Sequence, residues 1–219
     1  MRFRKFSVIL FGMNKYKDRI IDESIVLFVK HGIRSVTMDE IAKQCGISKR
    51  TLYENFKDKE ELLINCVERI HEVKMKNHKA ILKTTENVIE ILLTKIKQVM
   101  KDASQLKPSF HKEINKYYPS VAAIQQKHFK EFAANEIHRF IKKGITQELF
   151  RKELNVDIVT GLLIGQIQYV INDMPENPEY SFVEVFQTMM LSFARGISTN
   201  KGIKIIENFE KKNASFLIQ

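Results

Sequence analysis

The sequence predicts an all-α protein. Apolar residues recur at helical spacing along most of the chain. The four prolines, Pro108, Pro119, Pro175 and Pro178, all fall between those periodic stretches. Only 8 glycines are spread over 219 residues, so the closely spaced turn signals of a strand-rich domain are missing.

The elements follow in order. A first helix is expected over residues 14–31, where Ile20, Ile21, Ile25, Leu27 and Phe28 form a broad apolar face and Gly32 supplies a stop. A short second helix begins after Thr37, because Thr37 and Glu40 have capping-box spacing and each can satisfy an orphan amide. Gly46 breaks that helix, and Ser48 is a suitable N-cap for a third ending near Phe56. Asp58 and Glu61 repeat the capping logic at the head of a long fourth helix reaching residue 82. Further helices are expected over 85–104, 108–118, 119–144, 156–172, 182–197 and 203–211. Gly144 is read as a stop, with Lys142 and Lys143 placed well against the C-terminal dipole.

Composition bounds the function. With 44% hydrophobic and 28% charged residues the chain is an ordinary globular sequence. The two cysteines, Cys45 and Cys66, are too few for a disulfide scaffold or a Cys-based zinc site, and reduced thiols in a cytoplasmic protein are expected. The uncharged run at residues 158–172 is shorter than the about 20 residues a membrane span needs. The segment MRFRKFSVILFG lacks a signal peptide's longer apolar core and cleavage site. Residues 1–12 are read as a flexible extension, with Met13 as the natural start. The net charge of +10 suggests a polyanion partner. Residues 1–57 hold 12 cations against 6 anions, but Arg2, Arg4 and Lys5 of the extension account for half of that excess.

The informative stretch is TMDEIAKQCGISKRTLYENFKDKEELL, residues 37–63. Ile41, Ala42, Ile47, Leu52 and Phe56 fall where a helix-turn-helix needs its small core, and Gly46 falls where the turn favours positive φ. In such a unit the second helix enters the major groove, led by its N-terminal residues. Here those are Ser48, Lys49, Arg50 and Thr51, cations and hydroxyls suited to phosphates and base edges. Tyr53 lies on the outer flank of that helix, and Lys57 and Lys59 stand at the start of the next, whose free amides also favour phosphate.

Over residues 17–63 the sequence resembles the TetR family of bacterial transcriptional regulators. The resemblance rests on RIIDESIVLFVKHG, Thr37, Ile41-Ala42, Gly46-Ile47-Ser48, Leu52-Tyr53 with Phe56, and Lys59 with Leu62. Arg50 stands where the family often has Gly or Ala, which leaves its role between base reader and phosphate clamp. Ser24 stands where Ala is common. The resemblance implies a homodimer on a palindromic operator of double-stranded DNA, released by a small-molecule effector of unidentified chemistry. It adds a phosphate contact to the capping role of Thr37. The expected domains are a DNA-binding head at 13–58 and a helical regulatory and dimerisation domain at 59–219.

Outside the motif the residues allow more than one reading. Phe182, Val185, Phe186, Met189, Met190, Phe193, Ala194 and Ile197 form a stripe at helical spacing. It reads as core or, preferably, as a dimer interface shared with Ile158, Gly161, Leu162 and Gly165, whose glycines permit close approach. Phe110, His111, Tyr117, Tyr118, His128, Phe129 and Phe132 suit a pocket for a mostly apolar ligand, and equally core packing. No acid or cysteine cluster accompanies His111 and His128, so no metal is expected. Cys45 reads as a packed thiol before an oxidant sensor. Without a nucleophile elbow, a phosphate-binding glycine loop or an HExxH motif, neither an enzyme nor a cofactor is expected. Two alternatives stand beside the ligand-responsive repressor: a regulator whose C-terminal domain binds a protein partner without a small-molecule pocket, and a peripheral membrane protein using residues 1–12.

Overall fold

The computed structural model describes residues 15–103, 110–174 and 179–213. The expected extension at 1–12 and the start at Met13 lie outside these residues. The described elements are α1 (Lys15–His31), α2 (Met38–Cys45), α3 (Lys49–Asn55), α4 (Lys59–Leu82), α5 (Val88–Ala103), α6 (Phe110–Tyr117), α7 (Pro119–Thr146) and α8 (Val156–Gln168). A π-helical turn (Tyr169–Asp173), α9 (Phe182–Ile197) and α10 (Asn200–Lys212) complete them. The all-α expectation holds: among the described residues the only β-type pairing is an isolated bridge between Phe150 and Ser198.

The short N-terminal helices are delimited by their caps. Thr37, Ser48 and Asp58 accept from the backbone N–H of Glu40, Thr51 and Glu61 at the heads of α2, α3 and α4. Glu40 returns the bond to the Thr37 amide at 2.7 Å, which closes the capping box. Their apolar faces meet in a first core containing Ile20, Phe28, Ile41, Leu52, Phe56, Leu62 and Leu63. Ser24, the departure from the family's usual Ala, is fully buried there and donates to the Ile20 carbonyl at 2.6 Å, so its hydroxyl is satisfied within its own helix. This core also takes in Cys66 and Val67 of α4, Phe110 and Ile114 of α6, and Val121 of α7. It therefore runs across residue 58, the expected edge of the head.

A second core is built from α5, α9, α10 and the apolar side of α8, including Ile89, Leu93, Phe150, Leu163, Phe186 and Ile206. Three boundaries depart from expectation. Helix α7 continues past Gly144 to Thr146. Gly144 is not a stop: a Cβ there would lie 2.0 Å from Phe150 Cδ2, so the glycine exists to admit that ring. The chain turns back through Glu148 at φ 57, and the Leu149 and Phe150 amides both donate to the Gly144 carbonyl at 3.0 Å. Helix α10 starts earlier than its apolar spacing suggests, because Thr199 caps it and Gly202 packs on the Leu149 carbonyl. The stretch expected as one helix over 156–172 switches to π geometry at Tyr169, with the Met174 amide donating to the Tyr169 carbonyl at 2.8 Å.

Candidate nucleic-acid interface

Helices α2 and α3 form a helix-turn-helix. The turn is set at Gly46, whose φ of 63 lies in the left-handed region that glycine adopts without strain. Its amide donates to Lys43 O, and the Ile47 amide to Ala42 O at 3.0 Å. Ile41, Ala42, Leu52 and Phe56 are buried and Ile47 is half-buried against them, so the side chains expected to hold the unit are packed together. The opposite face of α3 presents Lys49, Arg50, Tyr53 and Glu54 to solvent.

Each cation on that face carries an acid. Lys49 Nζ lies 2.6 Å from Asp39, and Arg50 Nε lies 2.9 Å from Glu54. Both pairs are open to water, with Arg50 89% exposed, so they are weak and exchangeable for a phosphate or a base edge. Asp39 holds the Lys49 ammonium above its usual range by hydrogen bond and charge. The Ser48 and Thr51 hydroxyls meet at 2.9 Å, and the Ser48 oxygen also caps α3. Thr37 is engaged in its capping box through both its amide and its hydroxyl, which donates to Glu40 at 3.0 Å. Those bonds hold the Glu40 carboxyl below the usual carboxylate range. Lys57 extends into solvent, 3.9 Å from the Asp58 carboxylate.

Lys59 is placed otherwise than its position in the motif suggests. Its ammonium turns inward and donates to the carbonyls of Ile33 and Val36, and it sits 5.8 Å from the centre of the Phe28 ring. Partial burial lowers its pKa. It ties the α1–α2 loop to α4, whereas Lys49, Arg50 and Lys57, the other cations expected at the interface, are exposed.

That loop also carries a contact that residue spacing does not reveal. The Arg34 amide donates to Glu113 Oε2 at 2.8 Å, and its guanidinium lies 4.4 Å over the Tyr117 ring. Glu113 and Tyr117 belong to α6. The same helix turns His111 and Asn115 toward a cavity of about 150 Å³ between α4, α6, α7, α8 and the π turn.

The expected pocket residues divide. His111, His128 and Phe129 line this cavity. Phe110 and Tyr118 pack into the first core, Tyr117 is exposed beneath Arg34, and Phe132 meets the His78 ring edge-on at 5.0 Å. The lining is more polar than the aromatics suggest, since His71, Lys74, Asn115, Gln125 and Gln168 also contribute. Burial, with Lys74 adding to it, pulls His111 down to about 4. Among the described residues no group of His, Cys, Asp and Glu is arranged to hold a metal.

The expected interface residues also divide. Ile158 and Leu162 point out of α8 at 59% and 60% exposure, and Gly161 and Gly165 of the same helix have open space where a Cβ would stand. On α9, Phe186 is buried and stacks on Phe182 at 5.8 Å, while Phe182, Met189 and Phe193 are half-buried. A groove of about 500 Å³ runs between the helices past Leu162, Gly165, Tyr169, Val185 and Met189. Both cysteines are buried free thiols. No helix among the described residues is long and apolar enough to cross a membrane.

A helix-turn-helix with an outward cationic reading helix defines a DNA-binding transcriptional regulator. Comparison with known proteins narrows the class. Residues 20–66 match the family model for bacterial regulatory proteins of the tetR family. An uncharacterized HTH-type transcriptional regulator of Bacillus subtilis, YerO, is 52% identical over 56 residues, covering 26% of this chain and 19% of that one. The negative regulator of the biofilm operon icaADBC in Staphylococcus epidermidis, IcaR, is 36% identical over 66 residues, covering 28% of this chain and 36% of that one. The alignments thus span well under half of these relatives. A transcriptional regulator from Cytophaga hutchinsonii has the same fold over 85% of this chain and 100% of its own, with a TM-score of 0.66 at 23% identity. FadR of Bacillus subtilis, in complex with stearoyl-CoA, covers 82% and 98% with a TM-score of 0.62 at 20% identity. A regulator from Saccharomonospora viridis, in complex with choline, covers 86% and 100% with a TM-score of 0.64 at 17% identity. Residues 20–66 thus carry the DNA-binding region of the tetR family, and the chain shares its fold with these transcriptional regulators.

Proposed function

We propose that this regulator is a cytoplasmic dimeric repressor that leaves a palindromic operator when a small molecule occupies its C-terminal domain. The carrying observation is α6, which meets the α1–α2 loop through Glu113 and Tyr117 and the cavity through His111 and Asn115. A ligand that shifts α6 therefore bears on the reading head. The open cavity favours this reading over a C-terminal domain that serves only a protein partner. Ligand complexes among similar folds support a small-molecule effector, and the negative regulation by IcaR supports repression. The apolar outer face of α8 with α9 supports a helix-pair dimer interface. Lys49, Arg50, Thr51, Tyr53 and Lys57 are the proposed DNA contacts, with Ser48 and Thr37 positioning them. The head at 13–58 reads DNA and residues 59–219 sense and dimerise.

Selection of bound fragments from the source genome, followed by footprinting and sedimentation, tests this. Two symmetric half-sites protected by a dimer are expected, with affinity falling steeply as salt rises. A monomer protecting one unsymmetrical site overturns the dimeric reading.

A further inference from the structure

We infer that the cavity between α4, α6 and α7 takes a small organic carboxylate, its acid group facing Lys74 and His111 and its body lying on Ile70 and Phe129. The inference rests on the ligand-responsive reading and names the chemistry of the ligand. Among the described residues the lining supplies an ammonium, imidazoles and side-chain amides, but no Asp or Glu. Lys74 makes no ion pair among the described residues; Asp102 on α5 acts on it only through charge. Lys74 is exposed and forms part of the cavity wall, where burial of its surroundings lowers its pKa. A cation at the cavity wall without an ion pair is free to form a charge-assisted hydrogen bond, and an incoming carboxylate supplies the acceptor.

The acids nearby are already committed. Glu68 pairs with His128 Nε2 at 3.2 Å, and Glu136 pairs with His78 Nε2 at 3.2 Å. His71 stacks on His128 at 4.0 Å, which fixes both rings at the wall. His111 touches only Phe110 among rings and forms no hydrogen bond among the described residues, so its ring nitrogens are available to a ligand. The volume of about 150 Å³ limits the ligand to a compact body. A cavity of that size holds a benzene-sized group. Asn115 donates to Asn172 at 3.1 Å, which joins α6 to the π turn along the same wall.

The test is calorimetric titration of the full-length protein with acetate, butyrate, succinate and benzoate, each against its neutral amide. At least one acid should bind about tenfold or more tightly than its amide, the margin expected of a charge-assisted contact. Lys74→Gln should abolish that preference while the melting temperature and operator binding stay unchanged. His111→Phe, checked for folding in the same way, serves as the second variant. Amides binding as well as acids, or no acid binding, overturns the inference. An acid that binds but leaves operator affinity unchanged upholds the site and refutes the effector role. An apolar compound that releases DNA while every acid fails refutes the carboxylate and leaves the effector reading standing.

Discussion

The guanidinium of Arg34 lies 4.4 Å over the ring of Tyr117 and donates to its hydroxyl at 3.2 Å, joining the loop before α2 to the end of α6. Such a contact is worth about 0.5–1 kcal/mol at an exposed site. That is small against the stability of a domain, but it is comparable to an allosteric coupling energy of about 1–3 kcal/mol.

Tyr117→Ala should therefore leave ligand affinity intact and weaken coupling. The ligand-induced loss of operator affinity should shrink about two- to fivefold. Titrating DNA with and without saturating ligand measures the ratio. An unchanged ratio places the transmission elsewhere on α6.

Arg50 is held by an exposed, exchangeable partner, Glu54, which the proposed DNA contact would replace. Arg50→Ala should cost about 1–3 kcal/mol and relax discrimination at one position of each half-site, the signature of a bidentate base contact. A uniform loss on all sequences, with a shallower salt dependence, would make it a phosphate clamp.

Lys59 should matter to folding more than to DNA. Its ammonium serves two loop carbonyls, so Lys59→Met strips both of their donor. The expected loss is about 1–3 kcal/mol in urea denaturation. The salt dependence of operator binding should keep its slope, and a drop of about one in that slope would mean that Lys59 reaches a phosphate after all.

Gly144→Ala places a methyl carbon into the Phe150 ring. Overpacking of this kind costs about 1–3 kcal/mol or more. Thermal denaturation should show the loss, and Phe150→Leu in the same chain should recover part of it. A neutral Gly144→Ala would mean that the return at Glu148 yields easily.

The reading head was legible because its determinants are local. Thr37 with Glu40, Ser48 with Thr51 and Asp58 with Glu61 sit one helical turn apart, so spacing alone forecasts their caps. The turn at Gly46 and the packing of Ile41, Ala42 and Leu52 follow from the same short range. Arg50 with Glu54, four positions apart, is an equally local pair. Gly144 misled because a glycine near a helix end serves as a stop or as a space, and only Phe150, returning from outside the helix, decides between them.

By itself, the sequence determined that the chain is helical, that α2 and α3 form a helix-turn-helix, and which cations lead α3. Tertiary structure alone decided that the Lys59 ammonium faces inward and that Arg34 reaches Glu113 and Tyr117. It also decided which aromatics line the cavity and that Lys74 stands beside them. The physical reason is the range of the interaction. Caps and helical faces are settled within a turn or two of the backbone. The partners of a long flexible lysine or arginine, and the side of a helix that meets a void, are settled by which other helices pack beside it.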